Sequence, residues 1–207
     1  PYTTLFRSCF IETKININKY LNQSTLRIIK QKFDNYLMYK ALNKFSIEYQ
    51  KVKNSIHPTK FTEHDGTVKN EVNHSDIGTM PYDGRVADNY FFEEIFADSK
   101  LEAENMQTEL KEVIVFTKIP KNSIKIPISG GKSYSPDFAY VLNYKDGNKK
   151  LHFIVETKDA DKESLRDEEK QKIKHAEKFF GNNIKIKFKT QFSNKKIANL
   201  IQEIYNK

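Results

Sequence analysis

Asp137 and Glu156 stand at the two ends of one stretch, SPDFAYVL (135–142) and LHFIVETKD (151–159), with Lys158 two residues past the second acid. Asp146-Gly147 lies between the two apolar runs, a strong hairpin signal. Centring the turn there sets Phe138 against Val155, Tyr140 against Phe153 and Leu142 against Leu151, so one face of the ribbon is apolar. On the other face Asp137 falls opposite Glu156, at the ~4.5–5.5 Å Cβ spacing of cross-strand partners. Side chains alternate along a strand, so Lys158 emerges on that same face. A slip of one residue would destroy both pairings. Two ionised carboxylates this close repel unless one takes a proton or a cation sits between them. Oxygen-only ligands suit Mg²⁺, which keeps several waters and accepts phosphate oxygens. Lys158 adds a donor for a phosphate or an attacking water. The chemistry this set can do is phosphodiester hydrolysis, in which a metal lowers the pKa of water and neutralises charge building on the phosphate. The plainer reading is two strand-end acids in solvent with Lys158 as their charge partner. The register, Pro136 before Asp137 and the apolar strand feeding Glu156 favour the site.

The flanking elements have to position those residues. Ser99 with Glu102 three residues later fits a capping box and predicts a helix from there to about Leu110. VIVF (113–116) and IKIPI (124–128) read as short strands, with Gly130-Gly131 as a turn. Residues 135–143 and 150–158 read as the hairpin strands. Ser164 and Asp167 open a second helix, with Leu165, Ile173, Ala176 and Phe180 inward and Gly181 past its end. IKIKFK (184–189) alternates as a strand, placing Lys185, Lys187 and Lys189 on one face and Ile184, Ile186 and Phe188 on the other. The basic face reads either as DNA-facing or as an edge-strand guard against aggregation. Ser193 opens a last helix with Ile197, Leu200, Ile201 and Ile204 on one stripe. From residue 99 the predicted order is α-β-β-β-β-α-β-α. Upstream, Leu26, Ile29, Phe33, Leu37, Ala41 and Phe45 recur at helical spacing over 24–49. Residues 54–87 are polar, rich in turn formers and without period; His57, His64 and His74 there lack zinc-like spacing.

The chain has 207 residues, a net charge of +8 and one cysteine, Cys9. A disulfide framework is excluded, and the lysine-rich, cysteine-poor composition suits a reducing cytoplasm. The lysine excess fits a polyanionic partner, although an AT-rich genome would also enrich Lys, Asn and Ile. No apolar run approaches membrane-spanning length. The first eight residues, PYTTLFRS, match the translation of a sequencing-library adapter and are set aside; without Arg7 the charge is +7. The first Met is Met38, so the chain is expected to be the tail of a longer protein with its upstream part missing. The expected organisation is 1–8 adapter-derived, 9–56 a helical connector, 57–87 an irregular linker and 88–207 the catalytic domain.

Pro136-Asp137 followed by Glu156-Thr157-Lys158 resembles the PD-(D/E)xK nuclease motif. Around it, DSKLE (98–102), VFTKIP (115–120), IPISGGKSYSPDFAYVL (126–142), VETKD (155–159) and LRDEEKQKIKHAEKFF (165–180) resemble the C-terminal endonuclease domain of the Res subunit of type III restriction enzymes. The likeness spans roughly 90–190. It implies an α/β, restriction-endonuclease-like fold, a mixed central β-sheet flanked by helices, and Mg²⁺-dependent double-strand DNA cleavage. It further implies attachment to an ATP-driven helicase-like motor and partnership with a methyltransferase (Mod) subunit. By this resemblance Asp137 and Glu156 are metal ligands and Lys158 orients water or stabilises phosphate. Glu102 matches the additional acid that such nucleases place near the metal, in competition with its capping role; Glu93 and Glu94 are nearby acids expected in solvent. Arg166 and Lys172 match positions of the helix block, and Lys118 and Lys132 flank the site strands; these four are candidate phosphate contacts. Asp159 stands where the family usually has Gly. GxxxxGK[ST] is absent, so ATP use is not assigned to these residues. The competing readings are another nuclease with the same motif, for repair or junction resolution, and a catalytically silent DNA-binding domain descended from a nuclease.

Overall fold

A computed structural model describes residues 20, 22–44, 48, 60–128, 132–144, 149–158, 160–184 and 186–206. Of these, the side chains of 41–44, 149–154, 156, 157 and 183 fall outside the description. Its centre is a four-stranded mixed sheet formed by β3 (Val113–Lys118), β6 (Phe138–Asn143), β7 (Lys149–Lys158) and β8 (Lys187–Phe192), in that spatial order. β3, β6 and β7 are antiparallel neighbours, and β8 joins β7 in parallel. The parallel step needs a crossover, which α4 (Asp167–Lys178) and a π-helical turn (Phe179–Ile184) supply. β4 (Ile126–Ile128) and β5 (Lys132–Tyr134) pair as a separate two-stranded ribbon, as do β1 (Met80–Pro81) and β2 (Phe96–Ala97). The remaining helices are α1 (Gln23–Lys44), the single turn α2 (His74–Ile77), α3 (Lys100–Gln107) and α5 (Ile197–Tyr205).

Alternation of side chains sorts the sheet into two layers. On one face Phe116, Phe138, Tyr140, Leu142 and Val155 pack with Ala103 and Met106 of α3 and with Ile197, Leu200, Ile201 and Ile204 of α5. All four apolar positions predicted for the last helix are therefore buried. On the other face Ala176 and Phe180 from the α4 segment pack with Phe188 and with Ile126, Ile128 and Tyr134 of the β4–β5 ribbon. The result is the expected α/β sandwich, a mixed sheet between helices.

The hairpin register holds where it matters. Phe138 pairs with Val155 and Tyr140 with Phe153, but a bulge follows, and Leu142 pairs with Lys150 rather than Leu151. One extra residue of β7 is absorbed there, as a β-bulge does. Residues 145–148, with the predicted Asp146-Gly147 turn, lie outside the described residues, as do Gly130 and Gly131. The strand order gains β5, three residues left unassigned between the Gly130-Gly131 turn and the strand expected from 135. The 184–189 strand begins at Lys187; Ile184 belongs to the π-helical turn and is exposed, at 45 %, instead of core. Lys185 is outside the description. In α1, Ile29, Phe33 and Leu37 are half-buried, Leu26 is exposed and Met38 is the buried residue. Within 57–87, α2 and β1 give order where none was expected, and Ile77 and Ala87 are buried. Gly78 lets the two segments meet, since a Cβ there would lie 2.3 Å from the backbone of Phe96 and Ala97.

Candidate active site

Asp137 sits one residue before β6, with both backbone groups held by neighbouring strands. Its N–H donates to the Val155 carbonyl at 3.1 Å, and its carbonyl accepts from Ile119 N–H at 2.7 Å. Pro136 is buried and Asp137 half-buried. Position 156 follows Val155 on β7 and pairs in backbone register with Thr190 of β8, while Lys158 pairs with Phe192. Because Val155 lies on the α3 face, alternation along β7 turns Lys158 to the opposite side, where α4 begins. The Phe138–Val155 register sets position 137, at the entry to β6, beside position 156 of β7. Lys158 is 22 % exposed, and its Nζ lies 3.9 Å from Oε1 of Glu169 in the first turn of α4.

The other expected site residues divide into two groups. Lys132, Arg166 and Lys172 gather around that same first turn. Lys132 Nζ donates to Glu168 at 2.8 Å, Lys172 Nζ lies 3.2 Å from the same Glu168 oxygen, and Arg166 Nε donates to Glu169 Oε2 at 3.4 Å. These contacts hold both acids below the usual carboxylate range. For Glu168 the hydrogen bonds from Lys132 and Lys172 dominate. For Glu169 burial pushes upward, and the Arg166 hydrogen bonds with the charges of Lys158 and Arg166 outweigh it. With Lys158 included, four cations converge on one helix end.

Lys118 and Glu102 lie elsewhere. Lys118, expected at phosphate, is 3 % exposed on the α3 face, its Nζ 2.5 Å from Glu102 Oε2 and 3.0 Å from Asp98 Oδ2. An ammonium buried between two carboxylates is not offered to a surface ligand. Glu102, expected beside the metal, is committed to that pair and to the helix end. Ser99 Oγ accepts from Glu102 N–H at 3.2 Å, and Glu102 Oε2 accepts from Asp98 N–H at 2.8 Å. The capping box is real, shifted by one residue in its return bond. Lys158 meets Glu169 of α4, whereas Glu102 of α3 pairs with Lys118. Glu93 and Glu94 are exposed.

Asp98 is a hub that sequence reasoning missed. Its carboxylate accepts from Thr79 N–H and Oγ1, from Lys118 and from Lys121. Burial pushes its pKa up, but the hydrogen bonds from Lys118, Lys121 and Thr79 and the charge of Lys118 bring it down to about 2. The signal lay in the DSKLE block, where Asp98 itself was given no role. A second hidden link is the buried amide pair Asn105–Gln191, with bonds of 2.6 and 3.0 Å tying α3 to β8.

With this arrangement in view, comparison with known proteins decides the family. Residues 88–195 match the family described as an endonuclease domain. The chain belongs to that family. It is 50 % identical over 200 residues to the Res subunit of the type III restriction-modification enzyme EcoPI of Escherichia phage P1, and equally to that of EcoP15I of Escherichia coli. Each alignment takes in 94 % of this chain and 20 % of the relative, so the chain spans about a fifth of their length. Residues 88–195 are thus an endonuclease domain. No solved structure gives a significant match. Among the described residues no helix is long and apolar enough to cross a membrane.

Proposed function

We propose that this endonuclease domain hydrolyses phosphodiester bonds of double-stranded DNA with Mg²⁺ held by Asp137 and Glu156, beside Lys158. The observation that supports this most is the Phe138–Val155 register, which sets position 137, at the entry to β6, beside position 156 of β7. The donor chemistry fits: two carboxylates and no sulfur suit a hard cation that retains waters, and the endonuclease family generally uses a divalent metal. When bound, Mg²⁺ would supply Lewis-acid stabilisation of the charge that builds on the phosphate. The chain's own residues do the rest. Asp137, with its main chain fixed by Ile119 and Val155, offers a carboxylate with little freedom to drift. Lys158 stabilises a phosphate oxygen or orients the attacking water. Lys132, Arg166 and Lys172 take up backbone phosphates of the duplex around the first turn of α4, where such contacts set position and carry no sequence readout. Glu102 and Lys118 support the fold beneath β3.

The likeness to Res subunits extends the proposal to the whole protein. There this domain follows an ATP-driven, helicase-like motor, works with a Mod methyltransferase subunit that reads sequence, and acts in the cytoplasm. The direct test is conversion of supercoiled plasmid to nicked and linear forms in Mg²⁺. Wild-type chain cleaves; Asp137→Ala and Lys158→Ala do not. Cleavage retained by Asp137→Ala refutes the assigned site.

A further inference from the structure

A lysine at a phosphate has to be aimed. Lys158 ends β7 on a flexible four-carbon stem, and one residue that meets it comes from another element. Glu169 of α4 presents Oε1 at 3.9 Å from Lys158 Nζ. Its other oxygen, Oε2, accepts the backbone N–H of Arg166 at 3.2 Å and the Arg166 Nε at 3.4 Å. One oxygen thus anchors the carboxylate to the start of the helix, and the second is turned to the lysine. Both partners are about one-fifth exposed, 22 % and 21 %, so their attraction is less screened than that of a surface pair. At 3.9 Å the contact exceeds a hydrogen bond; it orients the ammonium by charge. Glu168, the neighbour, faces different cations, Lys132 and Lys172.

We propose that Glu169 is a positioning residue of the cleavage reaction, a helix-capping carboxylate that aims the Lys158 ammonium at the scissile phosphate or its attacking water. This rests on the placement of Lys158 in the site made above. Glu169→Gln is the informative substitution. It keeps an acceptor for the Arg166 N–H and so the cap, and it removes only the charge.

The test uses the 207-residue chain and two readouts. The first is the ¹⁵N–¹H spectrum of the lysine ammonium groups, with the Lys158 signal assigned by its loss in Lys158→Ala. The second is plasmid cleavage in Mg²⁺, resolved into kcat and KM for DNA. Glu169→Gln shifts the Lys158 signal and lowers kcat by about 10–100-fold, the range for outer partners of site residues, while KM for DNA is not raised. Glu169→Asp recovers part of the rate. Glu177→Gln, which removes one charge from the same helix, leaves signal and rate as in wild type. An unmoved Lys158 signal in Glu169→Gln overturns the proposal whatever the cleavage result, as does a wild-type kcat. Wild-type cleavage by Lys158→Ala instead removes the lysine from the site, and the positioning role with it, even where the spectrum shows the ion pair. The two failures are therefore told apart.

Discussion

Removing the Lys118 ammonium is the sharpest probe of how the sheet is held beneath the site. Its Nζ bridges Glu102 at 2.5 Å and Asp98 at 3.0 Å, with the lysine 3 %, Glu102 9 % and Asp98 36 % exposed. Taking one partner from a buried pair costs ~3–5 kcal/mol because the other charge is left uncompensated. Two features place Lys118→Ala near the lower limit. Glu102 keeps the Asp98 N–H, and Asp98 keeps Lys121 and Thr79. The expected loss is about 3 kcal/mol, a fall in Tm of roughly 6–12 °C for a chain of this size. Thermal melts and urea titrations at pH 7 measure it. The double variant Lys118→Met with Glu102→Leu should melt much closer to wild type, since an apolar pair of similar volume substitutes well for a buried ion pair. The Asp98 carboxyl, held down to about 2, stabilises the fold above the ordinary Asp range and loses that effect as pH falls through its folded value. The penalty of Lys118→Ala should accordingly shrink between pH 7 and pH 2.5. A melting point for Lys118→Ala within about 2 °C of wild type, some 0.5–1 kcal/mol, refutes the reasoning, as does strict additivity in the double variant.

The remaining predictions probe other links. Asn105→Ala leaves Gln191 Oε1 without its donor in the core, while Nε2 keeps the Lys195 carbonyl, and should cost about 1–3 kcal/mol by urea unfolding, with Asn105→Leu plus Gln191→Leu recovering much of it. Ile201→Ala opens a cavity under α5 and should cost about 2–5 kcal/mol, while Ile184→Ala, on an exposed position, should stay within about 0.5 kcal/mol. Burial, and secondarily the charge of Lys178, lower the pKa of His175. The unfolded chain then takes up this proton at higher pH than the folded one, so stability should fall as pH drops from about 7.5 through the ordinary histidine pKa near 6.5. His175→Gln should flatten that part of the profile.

Periodicity and turn chemistry exposed much of this fold. The α5 stripe is legible because four branched apolar residues recur on one helical face and all of them are buried. The hairpin register is legible because only one alignment makes both faces consistent, and it fails beyond Tyr140 because a bulge leaves no mark in the alternation of residue types. Ile184 misled because alternation extends past the strand into a π-helical turn, where the chain has already left the sheet. β5 is three residues long, too short to carry a period. The candidate site was legible as a linear pattern around Asp137, Glu156 and Lys158. What stayed hidden depended on three-dimensional packing. Whether a lysine near the motif faces solvent or a buried carboxylate is set by which sheet layer it enters, and that separates Lys118 from Lys132. Glu169 reads in sequence as one acid of a helix start; only the folded chain shows its second oxygen turned to Lys158.

Calorimetric titration of Mg²⁺ into the chain with a short DNA duplex addresses the central claim most directly, because it reads the metal apart from turnover. Saturable binding is expected in wild type and its loss in Asp137→Asn and in Glu156→Gln, with Glu102→Gln retaining it in folded protein. Unchanged binding in Asp137→Asn or Glu156→Gln, or its loss only in Glu102→Gln, contradicts the account.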